Sequence, residues 1–201
     1  NAVTLKTARP GRENSLVLAN IANTRAGNAL ISTAPEGVEA DYFAIPASGA
    51  EDAIRKLIEV ARNRLPKKFK LDPVRDIQIL TCATDGPLSP AGLNPILSQQ
   101  LNMKADHLHA DRYGWRFRVG DKLMLQADIL SKGVAAGEIG IIKDIDPDPQ
   151  QATVQFGKAK LELSFDELDL LKPIYALPVD QARLSVSKCI ILLTKDGDKL
   201  P

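Results

Sequence analysis

The chain has 201 residues, of which 44% are apolar and 25% charged, and its formal net charge is +1 at pH 7. A chain of this length buries roughly 70% of its extended surface, so a core can form without disulfides. The near-neutral charge excludes a global attraction to nucleic acid, and any such partner must meet a local basic patch. No run of about 18 apolar residues is present, which excludes a membrane-spanning helix.

The first residues indicate whether the chain is part of a larger protein, and the cysteines indicate the cellular compartment. The chain begins at Asn1 rather than Met and shows no signal-peptide pattern, so we expect an excised part of a larger protein. Cys82 and Cys189 lie beside apolar runs, which favours two reduced core thiols over a disulfide or a metal site. Reduced thiols are typical of a cytoplasmic protein, and that is the predicted location.

The first part of the chain predicts two helices separated by a strand. A helix from Ser15 to Arg25 has a capping serine, and Gly27 is placed to end it. Asp41 to Pro46 has the length and aromatic content of a strand. The segment from Ser48 to Glu51 then fits a capping box, with the Glu51 carboxylate reaching back to the Ser48 end, and opens a helix through about Leu65.

The next elements continue this alternation. Asp76 to Cys82 is an apolar run of strand length, and Ser89-Pro90 begins a helix with a cap and a first-turn proline. Alternating strands and helices predict a parallel α/β sheet. Asn102 to Arg116 is interpreted as a polar loop. Its two histidines, His107 and His109, lack a third ligand nearby, which favours a solvated loop over a metal site.

Short strands dominate the following stretch. Phe117 to Ile142 predicts strand, glycine-rich turn and strand, and a hairpin is predicted from Ala152 to Phe165. We therefore expect a small SH3-like barrel at residues 117–171. Lys188 to Thr194 is typical of a fully buried strand that returns to the first sheet. The predicted architecture is an α/β domain of residues 1–116 and 172–201, interrupted by the barrel.

No motif for a known catalytic site is found: the sequence contains no G-x-x-x-x-G-K-[ST], G-x-S-x-G, H-E-x-x-H or C-x-x-C.

Two basic stretches of the sequence are candidates for binding nucleic acid. Five cations between Arg62 and Lys70 follow the second helix, where interaction with the helix dipole is favoured over a phosphate site. The barrel region holds Arg116, Arg118, Lys122, Lys132 and Lys143 early and most of its acids from Asp144 onward, so any nucleic acid must meet the early face. Small barrels also bind proteins, so the fold alone does not choose.

The order of these segments resembles a known family. DYFAIPASGAEDAIRKLIEVARNRLPKKFKLDPVRDIQILTCATDGPLSPAGLN, then FRVGDKLMLQ and GVAAGEIGII, resemble the C-terminal part of RecD-like superfamily 1 DNA helicases, the family of the exodeoxyribonuclease V alpha subunit. The resemblance covers about Ser15 to Leu193. It implies a second RecA-like domain with an inserted SH3-like barrel, from a motor that moves along single-stranded DNA in DNA repair or recombination.

Three departures from the family pattern concern groups that meet the nucleotide. Pro10 falls where the family has the arginine of an F-R-Q segment. YALPVDQARLS, from Tyr175 to Ser185, replaces Y-A-x-T-V-H-K-S-Q-G, and Val186 falls where a later segment has an arginine. A valine cannot make the bidentate phosphate contact of an arginine. The resemblance thus implies that ATP and Mg²⁺ bind only if a first motor domain, which this chain lacks, supplies their site.

Three functions stay open from the sequence. The leading hypothesis is a helicase region that binds single-stranded DNA or a partner, such as the missing N-terminal helicase domains, and does not hydrolyse ATP alone. The second is a non-catalytic protein-interaction module derived from a helicase, and the third is the excised half of an active helicase. No catalytic and no metal-binding residues are predicted. Family position and charge give these candidate nucleic-acid-binding residues: Thr81, Asn94, Arg118, Lys122 and Lys132.

Overall fold

The computed structural model describes residues 14–34, 36–102, 108–112, 114–184 and 187–195. The chain divides into two compact units, Asn1–Ala47 and Ser48–Pro201. Among the described residues, no helix is both long and apolar enough to cross a membrane. Pro10, His107 and Val186, which figured in the sequence analysis, lie outside the described residues.

The first unit contains helix α1 (Leu16–Ala26), as its caps predict. The Ser15 hydroxyl accepts a hydrogen bond from the backbone N–H of Leu18, and Gly27 ends the helix with φ 73°. The strand predicted for residues 41–46 is wrong, because this segment is irregular. Asp41 instead serves the start of α1: its carboxylate accepts hydrogen bonds from the Leu16 N–H at 2.8 Å and the Ser15 hydroxyl at 2.6 Å.

The second unit opens with helix α2 (Ala50–Glu59), a π-helical turn (Val60–Arg64) and helix α3 (Leu65–Phe69). The predicted capping box uses the wrong acid. Because Gly49 is the N-cap, Asp52 rather than Glu51 occupies the third helical position, and its carboxylate accepts from the Ser48 N–H at 3.0 Å. Pro66 lacks the N–H that would bond back to the preceding turn, which is consistent with the π-helical distortion just before it.

The remaining elements are helix α4 (Pro90–Leu101) and a set of strands. In chain order the strands are β1 (Ile77–Thr81), β2 (His109–Arg112), β3 (Trp115–Arg118), β4 (Lys122–Leu125), β5 (Ile139–Asp146), β6 (Gln151–Phe156), β7 (Ala159–Ser164), β8 (Leu171–Pro173), β9 (Ala176–Pro178) and β10 (Cys189–Leu193).

A parallel sheet of strand order β10-β1-β9 confirms the predicted α/β class. Helices α2 and α4 pack on one face of this sheet, where Leu57, Ile79, Leu93 and Leu97 are buried in one core. Strand β10 joins the first sheet as predicted, but it is not fully buried. It forms an edge of the sheet, and Ile190 remains 56% exposed.

A second sheet lies between α4 and β9 in sequence. It is antiparallel, with strand order β7-β6-β5-β4-β8, and encloses its own core around Leu123, Val154 and Phe156. The SH3-like barrel is not confirmed. In the described part of the chain no pairing joins β7 to β8, so the sheet does not close. The division at residues 117 and 171 stays a prediction.

The two sheets pack against each other through a small shared core. Leu80 on β1, Ile174 and Leu177 are buried together, and Met124 and Ile139 of the antiparallel sheet pack against them. One face of β1 thus meets the helices and the other meets the second sheet, which explains why all five residues of β1 are buried.

Candidate nucleic-acid interface

Strands β2 and β3 form an antiparallel hairpin within the segment interpreted from sequence as a polar loop. That interpretation is wrong for the residues of these strands, and residues 103–107 lie outside the described residues. Gly114, with φ 80°, lies in the turn, and Ala110 faces Phe117 across the two strands. Both Ala110 and Phe117 are 2% exposed, since they belong to the core of the antiparallel sheet. Cross-strand partners share a face, so alternate residues of the hairpin point away from this core.

The outward face of the hairpin is the candidate interface and consists of His109, Asp111, Arg116 and Arg118. The register pairs His109 with Arg118 and Asp111 with Arg116. Arg116 donates two hydrogen bonds to the Asp111 carboxylate, from Nε at 2.9 Å and from an Nη at 3.1 Å. His109 Nε2 lies 3.7 Å from the same carboxylate. The face therefore holds two guanidinium groups and an imidazole around one acid.

On the opposite face of the hairpin tip, two carboxylates neutralise the charge of an arginine. Arg112 lies there with Trp115, its cross-strand partner, and donates hydrogen bonds to Asp169 at 2.8 and 3.1 Å and to Asp166 at 3.0 Å. An open depression of about 380 Å³ at the tip is lined by Asp111, Arg112, Gly114, Trp115 and Arg116. The Trp115 ring packs partly against the core, and this anchors the tip.

Arg118 is the one sequence-predicted site residue on the outward face. Its guanidinium donates to the Ser98 hydroxyl of α4 at 3.2 Å, and its backbone N–H donates to Asp121 at 2.9 Å. Asp121 is 1% exposed and also accepts hydrogen bonds from Asn102 at 2.9 Å and Tyr175 at 2.7 Å. Burial raises the pKa of the Asp121 carboxyl. This network ties the base of the hairpin to α4.

Lys122 is buried between the two sheets, with 4% exposure. Its ammonium donates to the Gln78 side-chain oxygen at 2.8 Å, and Gln78 in turn donates to the carbonyls of Ile174 and Tyr175. Burial lowers the pKa of Lys122 to about 8. In this structure the lysine thus joins β4 to β1, away from the hairpin face.

Thr81 and Asn94 are each 2% exposed and bond within the chain. The Thr81 hydroxyl donates to the Leu88 carbonyl at 2.8 Å. The Asn94 amide makes two hydrogen bonds to the backbone of Ala176, donating at 3.1 Å and accepting at 2.7 Å. Lys132 donates to the Glu167 carboxylate at 2.7 and 2.8 Å. The structure does not bring these residues to the hairpin face, and their contact with nucleic acid stays a prediction.

Two other sequence features have structural counterparts. The basic stretch after α2 begins within the π-helical turn, where Arg62 donates to Gln100 of α4 at 3.0 Å. Its dipole and phosphate interpretations both remain predictions. Among the described residues, no group of three or more His, Cys, Asp or Glu side chains is placed to hold a metal ion. Cys82 and Cys189 are not joined in a disulfide, and both are partly buried.

Sequence reasoning placed Arg116 among the early cations but did not select it or His109 as a candidate binding residue. A signal was present: Trp115 and Phe117 alternate with Arg116 and Arg118 directly after Gly114, which is the pattern of a half-buried strand after a turn. The charged residues of the outward face lie close together in sequence. The whole segment therefore looks polar, and the alternation of apolar and charged residues is easily overlooked.

Comparison with known proteins gives solved structures alone. No protein-family model and no curated protein matches the chain. It is similar to the Pif1 helicase from Bacteroides in complex with ADP-AlF3 and ssDNA, with 13% identity, a TM-score of 0.46 and coverage of 73% of this chain and 40% of that one. The chain is also similar to a structure of two coordinating Pif1 helicases at forked dsDNA, with 12% identity and a TM-score of 0.42. That match covers 76% of this chain and 42% of that one.

A third similar structure, Bacteroides Pif1 bound to ssDNA, has 12% identity, a TM-score of 0.39 and coverage of 73% of this chain and 43% of that one. The chain spans about two fifths of the length of these three proteins. Identities and TM-scores this low carry no inference about this chain.

Proposed function

We propose that this chain is the second motor-domain region of a RecD-like DNA helicase and binds single-stranded DNA through the outward face of the β2–β3 hairpin. The observation that carries the proposal is the segment order. A parallel sheet with flanking helices is interrupted in sequence, between α4 and β9, by an antiparallel sheet. This is the order of parts that the sequence resemblance implies for the second RecA-like domain and its insertion.

The chemistry of the hairpin face supports a backbone-binding role. Arginine presents a planar fork that fits phosphate oxygens, and neutralising phosphates supplies most sequence-independent affinity for nucleic acid. Arg116 and Arg118 lie on this face with His109, while the net charge of the whole chain is only +1. A local patch is therefore required, and the hairpin provides one.

ATP hydrolysis is not proposed for this chain alone. The residues that fall where the family has His-Lys-Ser-Gln-Gly are Asp180 to Leu184, within the 3-10 helix Val179–Leu184. Asp180 and Gln181 take the places of the family's histidine and lysine, and neither offers a phosphate a positive charge. These two side chains thus do not fit the phosphate contacts of a nucleotide site, and a first motor domain would have to hold ATP and Mg²⁺. A cytoplasmic location remains part of the proposal.

Fluorescence anisotropy with a labelled oligothymidine of about 15 nucleotides tests this function. We expect wild-type protein to bind at low salt and Arg118→Gln to bind more weakly, because one phosphate contact is lost. Lys158→Gln is the charge-matched control, since Lys158 lies in the exposed turn between β6 and β7. No binding by the wild type at low salt, or equal losses in both variants, contradicts the proposal.

A protein-interaction module is the second candidate, favoured by the apolar side chains on β10. Ile190 and Leu192 point to one face of this edge strand and are 56% and 42% exposed. A pull-down that recovers one protein partner without nucleic acid, combined with no oligothymidine binding, would support this candidate over DNA binding.

A further inference from the structure

We propose that Asp111 is an internal competitor for the phosphate site of the β2–β3 hairpin: its carboxylate occupies the fork of Arg116 that a nucleic-acid phosphate takes when single-stranded DNA binds. This inference rests on the proposed function for its ligand, and it adds a residue that weakens binding at the same face.

The geometry of the Asp111–Arg116 pair is the first support. Both carboxylate oxygens are used, Oδ1 at 2.9 Å from Nε and Oδ2 at 3.1 Å from an Nη. A phosphodiester presents two oxygens to arginine in the same bidentate way. The carboxylate therefore stands where the two non-bridging oxygens of a phosphate would lie.

The surroundings of Asp111 are those of an anion site. His109 Nε2 lies 3.7 Å from Asp111 Oδ2, and Arg118 follows Arg116 on the same face. The hydrogen bonds from Arg116 hold the pKa of Asp111 below its usual range, with further contributions from His109 and Arg118. Three basic groups thus converge on this single carboxylate.

The pair is accessible enough to exchange partners. The side chains of Arg116 and Asp111 are 47% and 56% exposed. Exposed ion pairs contribute little to stability, because water screens the charges and the side chains must be ordered. Displacing Asp111 therefore costs little, whereas a DNA strand can engage Arg116 and Arg118 together. The intramolecular carboxylate should lower DNA affinity without abolishing it.

The test is anisotropy with the same labelled oligothymidine and the variant Asp111→Asn. We expect about three- to fivefold tighter binding at low salt, because the competing charge is removed. Arg116→Gln should weaken binding, and the double variant Asp111→Asn with Arg116→Gln should bind no more tightly than Arg116→Gln alone.

Asp148→Asn is the matched control, because Asp148 is an exposed acid in the turn after β5 and its loss changes the net charge equally. Wild-type binding with equal effects of D111N and D148N overturns the competitor role and leaves the proposed function standing. Weaker binding by D111N also overturns it. If neither the wild type nor D111N binds, the proposed function fails and the competitor role fails with it. If D111N alone binds, the competitor role stands and DNA binding by the native chain is refuted.

Discussion

Two adjacent residues, Asp121 just before β4 and Lys122 at its start, connect the antiparallel sheet to α4 and to the parallel sheet. Asp121 accepts hydrogen bonds from side chains of α4 and of the residue after it, and Lys122 donates to Gln78 on β1. The sequence identified Lys122 as a cation and placed it on a DNA-binding face. The charge of a residue can be read from sequence, but whether its ammonium meets solvent depends on packing between two distant elements.

Lys122 predicts an unusual pH dependence of stability. Its pKa falls from 10.5 to about 8 through burial. Between these values the unfolded chain binds more protons than the native protein, so the free energy of unfolding rises with pH. From about pH 7 to about pH 9.5, the wild type should gain about 2 kcal/mol relative to Lys122→Met. Urea unfolding of both proteins across this range measures the difference.

Lys160→Met, which removes an exposed lysine of β7, provides the control. It should keep the pH dependence of the wild type. Parallel pH profiles of the wild type and Lys122→Met would show that Lys122 does not titrate with a lowered pKa.

A substitution of Asn94 distinguishes a structural role of this residue from the DNA contact predicted from sequence. Asn94→Ala removes both hydrogen bonds to the Ala176 backbone and leaves these buried groups without that partner. We expect the free energy of unfolding to fall by about 1–3 kcal/mol. Gln99→Ala, at an exposed position of the same helix, should change it little. Lower DNA affinity with unchanged stability would instead support the contact predicted from sequence.

At the level of elements, local chemistry predicted helices better than strands. Ser15 and Ser89 cap α1 and α4 as expected, because a cap depends on residues a few positions away. The strand predicted at Asp41 failed since a strand also needs a partner, and the Asp41 side chain is used to cap α1. The β2–β3 hairpin was missed although its two strands are close in sequence and pair with each other. Its outward-facing charged residues made the segment look like a loop.

Gly140 on β5 is required by close packing within the antiparallel sheet. A Cβ at this position would lie 2.7 Å from a methyl carbon of Val154 and 2.8 Å from the ring of Phe156. Gly140→Ala should therefore lower the free energy of unfolding by about 1–3 kcal/mol through overpacking. Thermal or urea unfolding measures the loss.

Combining Gly140→Ala with Val154→Ala tests this cause. The second substitution removes the nearest methyl group, so the double variant should lose less stability than the sum of the two single losses. Additive losses would mean that the added methyl group does not press on Val154.

At the level of the whole molecule, the sequence predicted β1 and β10 of the parallel sheet but neither β9 nor how far each strand is covered. The apolar runs of β1 and β10 look alike, yet β1 is fully buried while Ile190 and Leu192 on β10 are exposed. The central strand has neighbours on both sides and packing on both faces. Whether a strand lies at the edge of a sheet, and whether a sheet closes into a barrel, depends on how all the strands are arranged. A local sequence pattern does not determine this arrangement.

The candidate interface also arises at this scale, because the core of the antiparallel sheet decides which side of the hairpin faces outward. Ala110 and Phe117 are buried there, and the alternation of the strands then places Arg116 and Arg118 on the other side. We propose that this surface binds the phosphate backbone of single-stranded DNA.

The salt dependence of oligothymidine binding is the decisive measurement of this contact. Two phosphate contacts, through Arg116 and Arg118, predict a slope of log K against log salt of about −1.4 between about 20 mM and about 200 mM salt. Arg116→Gln and Arg118→Gln should each bring the slope closer to zero by about 0.7. Binding that is undiminished at high salt, or absent at low salt, would contradict the claim.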